Sequence, residues 1–395
     1  MINPFTGGLE FRRAKKSENL EEGFSDINAD FCPVQSTLSI DEKIKLVKEV
    51  GEEIIKEEEL RDLFKRNEMP ICYDGFEPSG RMHIAQGLLR AINVNRLTKA
   101  GCIFKFWIAD WFAQMNDKMG GDMEKIHIVG RYFVEIWRAA GMDLKNVKFL
   151  WCSDEINKKS KDYWQSVYNV AWLNNIDRIK RCCTIMGRKE KETLKVSQIL
   201  YPCMQCTDIF FLKANITSLG TDQRKVNMLA REYSSDVKIS QKPIIVGHHM
   251  LKSLIKYIIE DGKKIEVDKM CKSIPDSAIF MEDSEEDIER KINNAHCPPK
   301  DIDDNPILDY IKYIIFPKFG KFELKRNEKS GGDKVYNTYE EICEDYKKGD
   351  LTPVDLKPNA ARIINEMIEP VRKHFENDPE AKKILKLVKS FKVTR

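Results

Sequence analysis

The stretch Tyr73-Asp74-Gly75-Phe76-Glu77-Pro78-Ser79-Gly80-Arg81-Met82-His83-Ile84-Ala85-Gln86-Gly87 constrains this chain more than any other. It grows out of Pro70-Ile71-Cys72-Tyr73, an apolar run too short for a helix and bounded by turn residues, which predicts a buried strand. Gly75, Pro78, Ser79 and Gly80 are then expected to break that strand. From Met82 onward Leu88, Leu89, Ile92 and Leu97 recur at helical spacing. A strand, a glycine-rich turn and a helix start bring backbone N–H groups and a helix N-terminus close to an anion. A histidine held there can donate to a phosphate oxygen. No Gly-Lys-Ser/Thr follows and there is no G-x-G-x-x-G, so the common phosphate-loop signatures do not apply. On these residues alone an ordinary strand-to-helix turn is an equal reading.

The rest of the chain supplies a rhythm. From Ser39, a good N-cap, Ile44, Leu46, Val47, Val50, Ile54, Ile55 and Leu60 predict a helical region leading into the first strand. Cys102 to Asp110 is apolar and β-prone, as a parallel strand covered on both faces should be. Gly120-Gly121-Asp122 breaks the chain before an amphipathic helix through Trp137. Val147 to Cys152 reads as a third strand, and Lys242 to Gly247 as a late one ending at His248 and His249. Such alternation predicts a parallel α/β sheet with ligands at the carboxyl ends of its strands. A helical insertion from about Ile156 to Lys195 interrupts it.

Beyond Asp283 the texture becomes charged and helical, broken by Pro298-Pro299 and Gly331-Gly332. A length of 395 residues suits two domains. The expected division is an extension over 1–38, an α/β domain over 39–283 and a helical domain over 284–395. Lys15 and Lys16 read as part of a solvated tail.

Charge argues against generic nucleic-acid binding, since 66 basic and 63 acidic residues leave a formal charge of only +3. Any RNA contact must be local and shaped. Eleven cysteines with no basic-then-apolar leader after Met1 fit free thiols in a reducing compartment. Cys203 and Cys206 form a lone C-x-x-C without the second pair a zinc site wants, so structural thiols and no protein-bound structural metal are expected. No apolar run is long enough to span a membrane.

Tyr201-Pro202-Cys203-Met204-Gln205-Cys206-Thr207-Asp208 is the second informative stretch. Pro202 suits the first position of a helix. Tyr201, Gln205 and Asp208 then fall at i, i+4 and i+7, on one face. With Ile209, Phe210, Phe211 and Leu212 beside them, that face is expected to line a pocket inside a buried element. The competing reading is an amphipathic helix whose polar face meets water.

Gly75 to Gly80 with His83-Ile84-Ala85-Gln86 resembles the first signature of class I aminoacyl-tRNA synthetases, and Lys269-Met270-Cys271-Lys272-Ser273 resembles the second. Their order, separation and intervening sequence are most similar to the tyrosyl-tRNA synthetases of archaeal and eukaryotic type, from about Ile71 to about Phe375. The resemblance implies a Rossmann-like catalytic domain, an inserted region carrying a homodimer contact, and a helical anticodon-binding domain. It implies a cytoplasmic ligase that activates L-tyrosine with ATP and transfers it to the 3′ end of tRNA(Tyr), with magnesium arriving on ATP.

The site residues follow by the same resemblance. His83, Lys269 and Lys272 would be catalytic. Tyr73, Tyr201, Gln205, Asp208 and Gln223 would bind tyrosine, with Asp208 and Tyr73 on its hydroxyl. Gly75, Pro78, Ser79, Gly80, His83, Gln86 and Lys269 to Ser273, Met270 and Cys271 included, would hold ATP. Arg224, Lys225 and Asp355 would meet tRNA. The chain departs from the family where Gln86 replaces the last histidine of the first signature and Cys271 a serine of the second. The stretch from Leu251 to Asp268 also looks several residues long. Two rivals stand beside this reading: a tryptophanyl-tRNA synthetase, and a synthetase-like RNA-binding protein without catalysis.

Overall fold

The computed structural model describes residues 26–188, 192–260, 262–267 and 269–391. Lys15, Lys16 and most of the expected N-terminal extension therefore lie outside the described residues. In chain order the first half comprises α1 (Ile40–Lys48), β1 (Gly51–Ile55), α2 (Glu59–Arg66), β2 (Ile71–Phe76), α3 (Arg90–Lys99), β3 (Ile103–Ile108), α4 (Asp110–Met115), α5 (Met123–Ala139) and β4 (Val147–Trp151). After β4 come α6 (Cys152–Lys158), then α7 (Ser160–Trp172) and α8 (Ile176–Cys182) within the insertion, and α9 (Val196–Phe211) after it. The sheet resumes with β5 (Ile216–Thr217), α10 (Arg224–Asp236) and β6 (Ile244–His248), followed by a hairpin of β7 (Tyr257–Glu260) and β8 (Lys263–Glu266).

Six of these strands form one sheet in the order β1-β6-β5-β2-β3-β4. All neighbours run parallel except β1, which lies antiparallel on β6. The order turns at β2, with β3 and β4 on one side and β5 and β6 on the other. A crevice opens beyond the carboxyl ends of strands at such a point. This is the expected Rossmann-like α/β sheet, and the first signature leaves it from β2.

Three local expectations need correction. Ser39 does cap α1 in a reciprocal box with Glu42, but the predicted helical region is split by β1. Ile54 and Ile55 fit either periodicity, and pairing of Ile54 with Val246 and Ile55 with Ile245 decides for a strand. Gly51 permits the crossing, since a Cβ there would stand 2.5 Å from Ile54 Cγ1. Secondly, β2 runs on through Gly75 to Phe76, and the following helix starts late. His83 bridges Phe280 and Ile84 N–H donates to Ile279 O at 2.9 Å, so the chain makes an isolated bridge at His83 and turns helical only from Ile84. A π-helical turn at Ala85–Leu89 then leads into α3. Thirdly, Pro202 sits inside α9, not at its start. Its ring leaves the Gln198 carbonyl without a backbone partner, and the Cys183 thiol donates to that oxygen instead at 3.5 Å.

Alternation along β2 sorts its side chains between two apolar clusters. Cys72 and Phe76 enter a core with Phe106, Phe133, Trp137 and Phe149; Phe106 stacks on Trp137 at 4.5 Å. Tyr73 turns the other way, with Trp107, into the cluster built by α6 to α9.

The C-terminal region consists of α11 (Glu285–Asn293), α12 (Pro306–Tyr310), α13 (Phe316–Phe319), a hairpin of β9 (Phe322–Leu324) and β10 (Lys334–Tyr336), α14 (Tyr339–Lys348), α15 (Pro353–Asn377) and α16 (Pro379–Ser390). The hairpin was not foreseen; Gly331 and Gly332, both at positive φ, form its connection. Ser284 caps α11 by accepting from Asp287 N–H. Despite the change of texture there, the first apolar cluster runs on through Ile288, Ile364 and Val388. All eleven cysteines are free thiols, and only Cys32 and Cys271 are not buried. Among the described residues no helix is long and apolar enough to cross a membrane.

Candidate active site

A cavity of about 310 Å³ lies at the carboxyl end of β2. It brings together Tyr73, Gly75, Ser79, His83, Gln86, Tyr201, Gln205, Asp208, Gln223, Lys269 and Met270. These come from both signatures, from α9 and from the turn before α10. Pro78, Gly80, Cys271, Lys272 and Ser273 do not line the cavity, but Lys272 reaches it indirectly. Arg224 and Lys225 stand on the exposed start of α10, where Arg224 Nε meets both Glu53 carboxylate oxygens at 2.9 and 3.0 Å. Asp355 lies apart from the cavity. Its Oδ2 is engaged by the Thr352 hydroxyl at 2.7 Å in the N-terminal box of α15.

The floor is the polar face of α9. Burial pushes the Asp208 carboxyl well above the usual range, and the Tyr163 hydroxyl and nearby Trp107 indole oppose the shift. Tyr163 donates to Asp208 Oδ1 at 2.7 Å. The other oxygen, Oδ2, is buried without a partner, as is the Trp107 indole N–H. Tyr73 is buried beside them, its hydroxyl held protonated first by burial and then by the Asp208 charge. Gly75 eases this approach: a Cβ there would stand 3.1 Å from the Tyr73 hydroxyl oxygen, which would have to give by a few tenths of an ångström. An unpaired acceptor next to buried donors at the foot of an apolar slot suits a ligand hydroxyl, which can both give and take a hydrogen bond.

Higher in the pocket, the Tyr201 hydroxyl donates to Glu77 Oε1 at 2.7 Å, and Asn116 Nδ2 donates to both Glu77 oxygens at 3.1 and 3.0 Å. Gln205 Nε2 donates to Gln223 Oε1 at 3.1 Å, and Gln223 Nε2 to Ile185 O at 3.0 Å. This layer offers donors and acceptors suited to an amino-acid head group. Tyr163, Trp107, Glu77 and Asn116 escaped the reading of the sequence. Tyr163 and Trp107 look like ordinary aromatics of a buried helix and strand, and only the fold aims them at Asp208.

The opposite end of the cavity is built differently. Burial, then the Lys272 charge, pushes the His83 imidazole down to about 3, so at neutral pH it is an uncharged ring whose N–H can donate to an anion. Lys272 Nζ donates to Ser79 Oγ at 3.0 Å and lies 4.9 Å from the Phe133 ring centre. Lost hydration, then Lys118, pushes its ammonium down to about 7, against Glu77 and Glu282. Lys269 is exposed at the rim. Below the turn, Asp74 and Arg90 form a buried ion pair, while Arg81 spans Glu282 and Asp283 and packs on Phe280. His248 and His249 also line the cavity. His249 is bonded on both nitrogens, whereas His248 Nε2 is buried without a partner. Among the described residues no cluster of three or more His, Cys, Asp or Glu is poised to hold a metal.

With this geometry in view, comparison with known proteins is direct. Residues 65–369 match the family of tRNA synthetases class I (W and Y). The chain is 54% identical over 361 residues to tyrosine–tRNA ligase 1, cytoplasmic, of Arabidopsis thaliana, covering 91% of each. It superposes on Leishmania major tyrosyl-tRNA synthetase in complex with tyrosinol with a TM-score of 0.82 at 48% identity. That match covers 89% of this chain and 52% of the Leishmania chain, so this chain spans about half the length of that relative. It also resembles Pyrococcus horikoshii tyrosyl-tRNA synthetase complexed with L-tyrosine, with a TM-score of 0.79 at 34% identity, over 88% of this chain and all of that one.

Proposed function

The chain belongs to the class I tRNA synthetases for tryptophan and tyrosine, and from that premise we propose that it is a tyrosine–tRNA ligase. It activates L-tyrosine with ATP and passes the tyrosyl group to the 3′ end of its tRNA. One observation carries the choice of amino acid: Asp208 keeps an unpaired buried oxygen beside Tyr73 in an apolar slot. A phenol fills that vacancy as a donor and still has lone pairs for Tyr73 or Trp107. An indole has a donor only.

The chemistry needs positioning more than acid–base power. The carboxylate of tyrosine attacks the α-phosphorus of ATP, the bond to the bridging oxygen breaks, and pyrophosphate leaves with its electron pair. The nucleophile is already anionic, so orientation and charge stabilisation dominate. Tyr201, Gln205 and Gln223 hold the amino-acid head. Neutral His83 donates to the α-phosphate oxygens as charge gathers there. Gly75, Pro78, Ser79, Gly80 and Gln86 shape the turn along ATP. Lys269 and Lys272, flanked by Met270, Cys271 and Ser273, neutralise the departing phosphates. ATP enters as its magnesium complex, the ion being part of the substrate.

The remaining assignments belong to the same reading. Arg224 and Lys225 meet the tRNA near the catalytic domain, and Asp355 meets the anticodon from the 284–395 domain. The exposed stripe of Trp164, Tyr168 and Trp172 on α7 supports a homodimer through the insertion, because large apolar side chains in register on one face favour cover. The names of the Arabidopsis relatives support a cytoplasmic location. ATP–pyrophosphate exchange with each of the twenty amino acids tests the core of the proposal. Exchange with tyrosine alone is expected; exchange with tryptophan, or with none, overturns it.

A further inference from the structure

We propose that Asp309 is a positioning residue for the lysine loop, so that the C-terminal helices set where Lys269 stands over ATP. The proposal rests on the assignment of Lys269 and Lys272 to the phosphates. Its starting point is the segment from Leu251 to the loop, which contains the β7–β8 hairpin. Tyr257 pairs with Glu266 and Glu260 with Lys263, and Val267 N–H donates to Lys256 O at 2.9 Å. The two legs converge where Lys252 bridges Lys269. A lone two-stranded hairpin with exposed faces is marginal in water. The place of Lys269 therefore depends on how firmly the opposite leg is held.

That leg is held by α12. The Lys252 N–H donates to Asp309 Oδ2 at 3.0 Å, and its carbonyl accepts from the Tyr310 hydroxyl at 3.0 Å. Both backbone polar groups of one residue are thus clamped by neighbouring side chains from beyond the domain boundary. Asp309 Oδ1 is engaged as well, 2.8 Å from His249 Nε2. His249 Nδ1 lies 2.8 Å from Glu52 Oε1, and its ring stacks on Tyr313 at 3.8 Å with an 11° tilt. The carboxylate is 7% exposed, so these hydrogen bonds face little competition from water. Additional ties reinforce the leg: Lys252 Nζ reaches Asp303 O, Lys256 pairs with Asp304, and Leu254 O accepts from His296 N–H at 2.7 Å.

His249, Leu251 and Lys269 all face the ATP cavity. One carboxylate in the C-terminal region therefore fixes the end of β6, the hairpin leg and, across the bridge, the exposed lysine. Tyrosine binds at the other end of the cavity, among α9 residues that Asp309 does not touch. This separation makes the role testable.

The experiment uses the full chain and compares wild type with Asp309→Ala, Asp309→Asn and Tyr310→Phe. Single-turnover adenylate formation is followed against ATP concentration, and tyrosine affinity by equilibrium dialysis. Asp309→Ala is expected to weaken ATP about tenfold, the typical loss for hydrogen bonds to one charged group, with tyrosine affinity within about twofold. Asparagine keeps an acceptor for Lys252 N–H and should recover most of the loss; Tyr310→Phe should cost about threefold. If Asp309 acts through Lys269, adding Asp309→Ala to Lys269→Ala should cost little more than Lys269→Ala alone. Additive losses, or equal losses for ATP and tyrosine, overturn the proposal. An undiminished rate in Lys269→Ala would overturn the assignment of the loop itself, and intact ATP binding in Asp309→Ala alongside an impaired Lys269→Ala would overturn only the inference. Should Asp309→Ala not fold, the asparagine and phenylalanine variants decide on the same terms.

Discussion

The proposed tyrosine end and the proposed phosphate end of this cavity are built on opposite principles. At the first, Asp208, Tyr163, Tyr73 and Gln205 are buried on rigid elements; Tyr163 donates to Asp208 Oδ1, Gln205 donates to Gln223, and Asp208 Oδ2 has no partner. At the second, one lysine is exposed and the other half-buried on an irregular segment tethered by a hairpin. The difference matches what each end must recognise. Tyrosine's hydroxyl is the same in ground and transition states, so a rigid slot serves selectivity. The phosphate charge shifts during reaction, so groups that meet it late contribute to rate.

The largest effect should come from the loop. Lys272→Ala or Lys269→Ala is expected to slow adenylate formation by about 10²–10³, as loss of one electrostatic contact to developing charge commonly does. Tyrosine affinity should barely change. Single-turnover kinetics with a parallel tyrosine titration separate the two, and an unchanged rate with weakened tyrosine would erase the contrast between the ends. The loop also predicts a pH dependence. Lys272 titrates at about 7 because burial and Lys118 disfavour its charge, so the useful ammonium is lost as pH rises through that value. The kcat/KM for ATP, which reports the free enzyme, should fall above pH 7, whereas kcat should hold to higher pH because bound phosphates favour the charged form. Lys272→Arg should flatten the descending limb. A limb that survives in that variant belongs to another group.

Next comes Asp208→Ala. It should lower kcat/KM for tyrosine by about a hundredfold, the upper range for a hydrogen bond to a charged group, and leave phenylalanine nearly unchanged. Equal losses for both amino acids would make Asp208 a structural residue and remove the pocket's claim to selectivity.

The two ends were also unequally legible. Gly75, His83 and the lysine loop could be found in sequence because short motifs carry them. So could the Tyr201–Gln205–Asp208 face, whose spacing survives even though Pro202 lies mid-helix. The strand at Gly51–Ile55 was missed because its pattern fits a helix and only the β6 edge makes it a strand. The groups that complete the pocket were missed for a related reason. Tyr163 is 45 residues from Asp208 in the chain and reaches it only through the packing of α7 on α9. Asp309 is 57 residues from Lys252, whose backbone N–H donates to it. Periodicity reports what a residue does within its own element, and these residues act across elements.

Tyr163 offers the finest test of the comparison, because it acts on selectivity without being placed on the ligand. Tyr163→Phe keeps the ring that packs edge-on against Phe211 at 5.1 Å and removes only the hydroxyl. Asp208 Oδ1 then loses its donor. Because that hydrogen bond helps hold the carboxyl ionised, its loss should raise the Asp208 pKa further. A protonated Asp208 can still meet a phenol, but as a neutral partner, and neutral hydrogen bonds are about half as strong as charge-assisted ones. Tyrosine kcat/KM should therefore drop about three- to tenfold. The loss should be largest in the pH window between the wild-type and variant carboxyl pKa values, where only the variant is protonated, and shrink on either side of it. Phenylalanine, which makes no use of the carboxylate, should be unaffected throughout, and ATP affinity likewise. The measurement is kcat/KM for both amino acids across pH in wild type and variant. A pH-independent loss shared by both amino acids would mean that Tyr163 only packs, and that the rigid end owes its selectivity to Asp208 and Tyr73 alone.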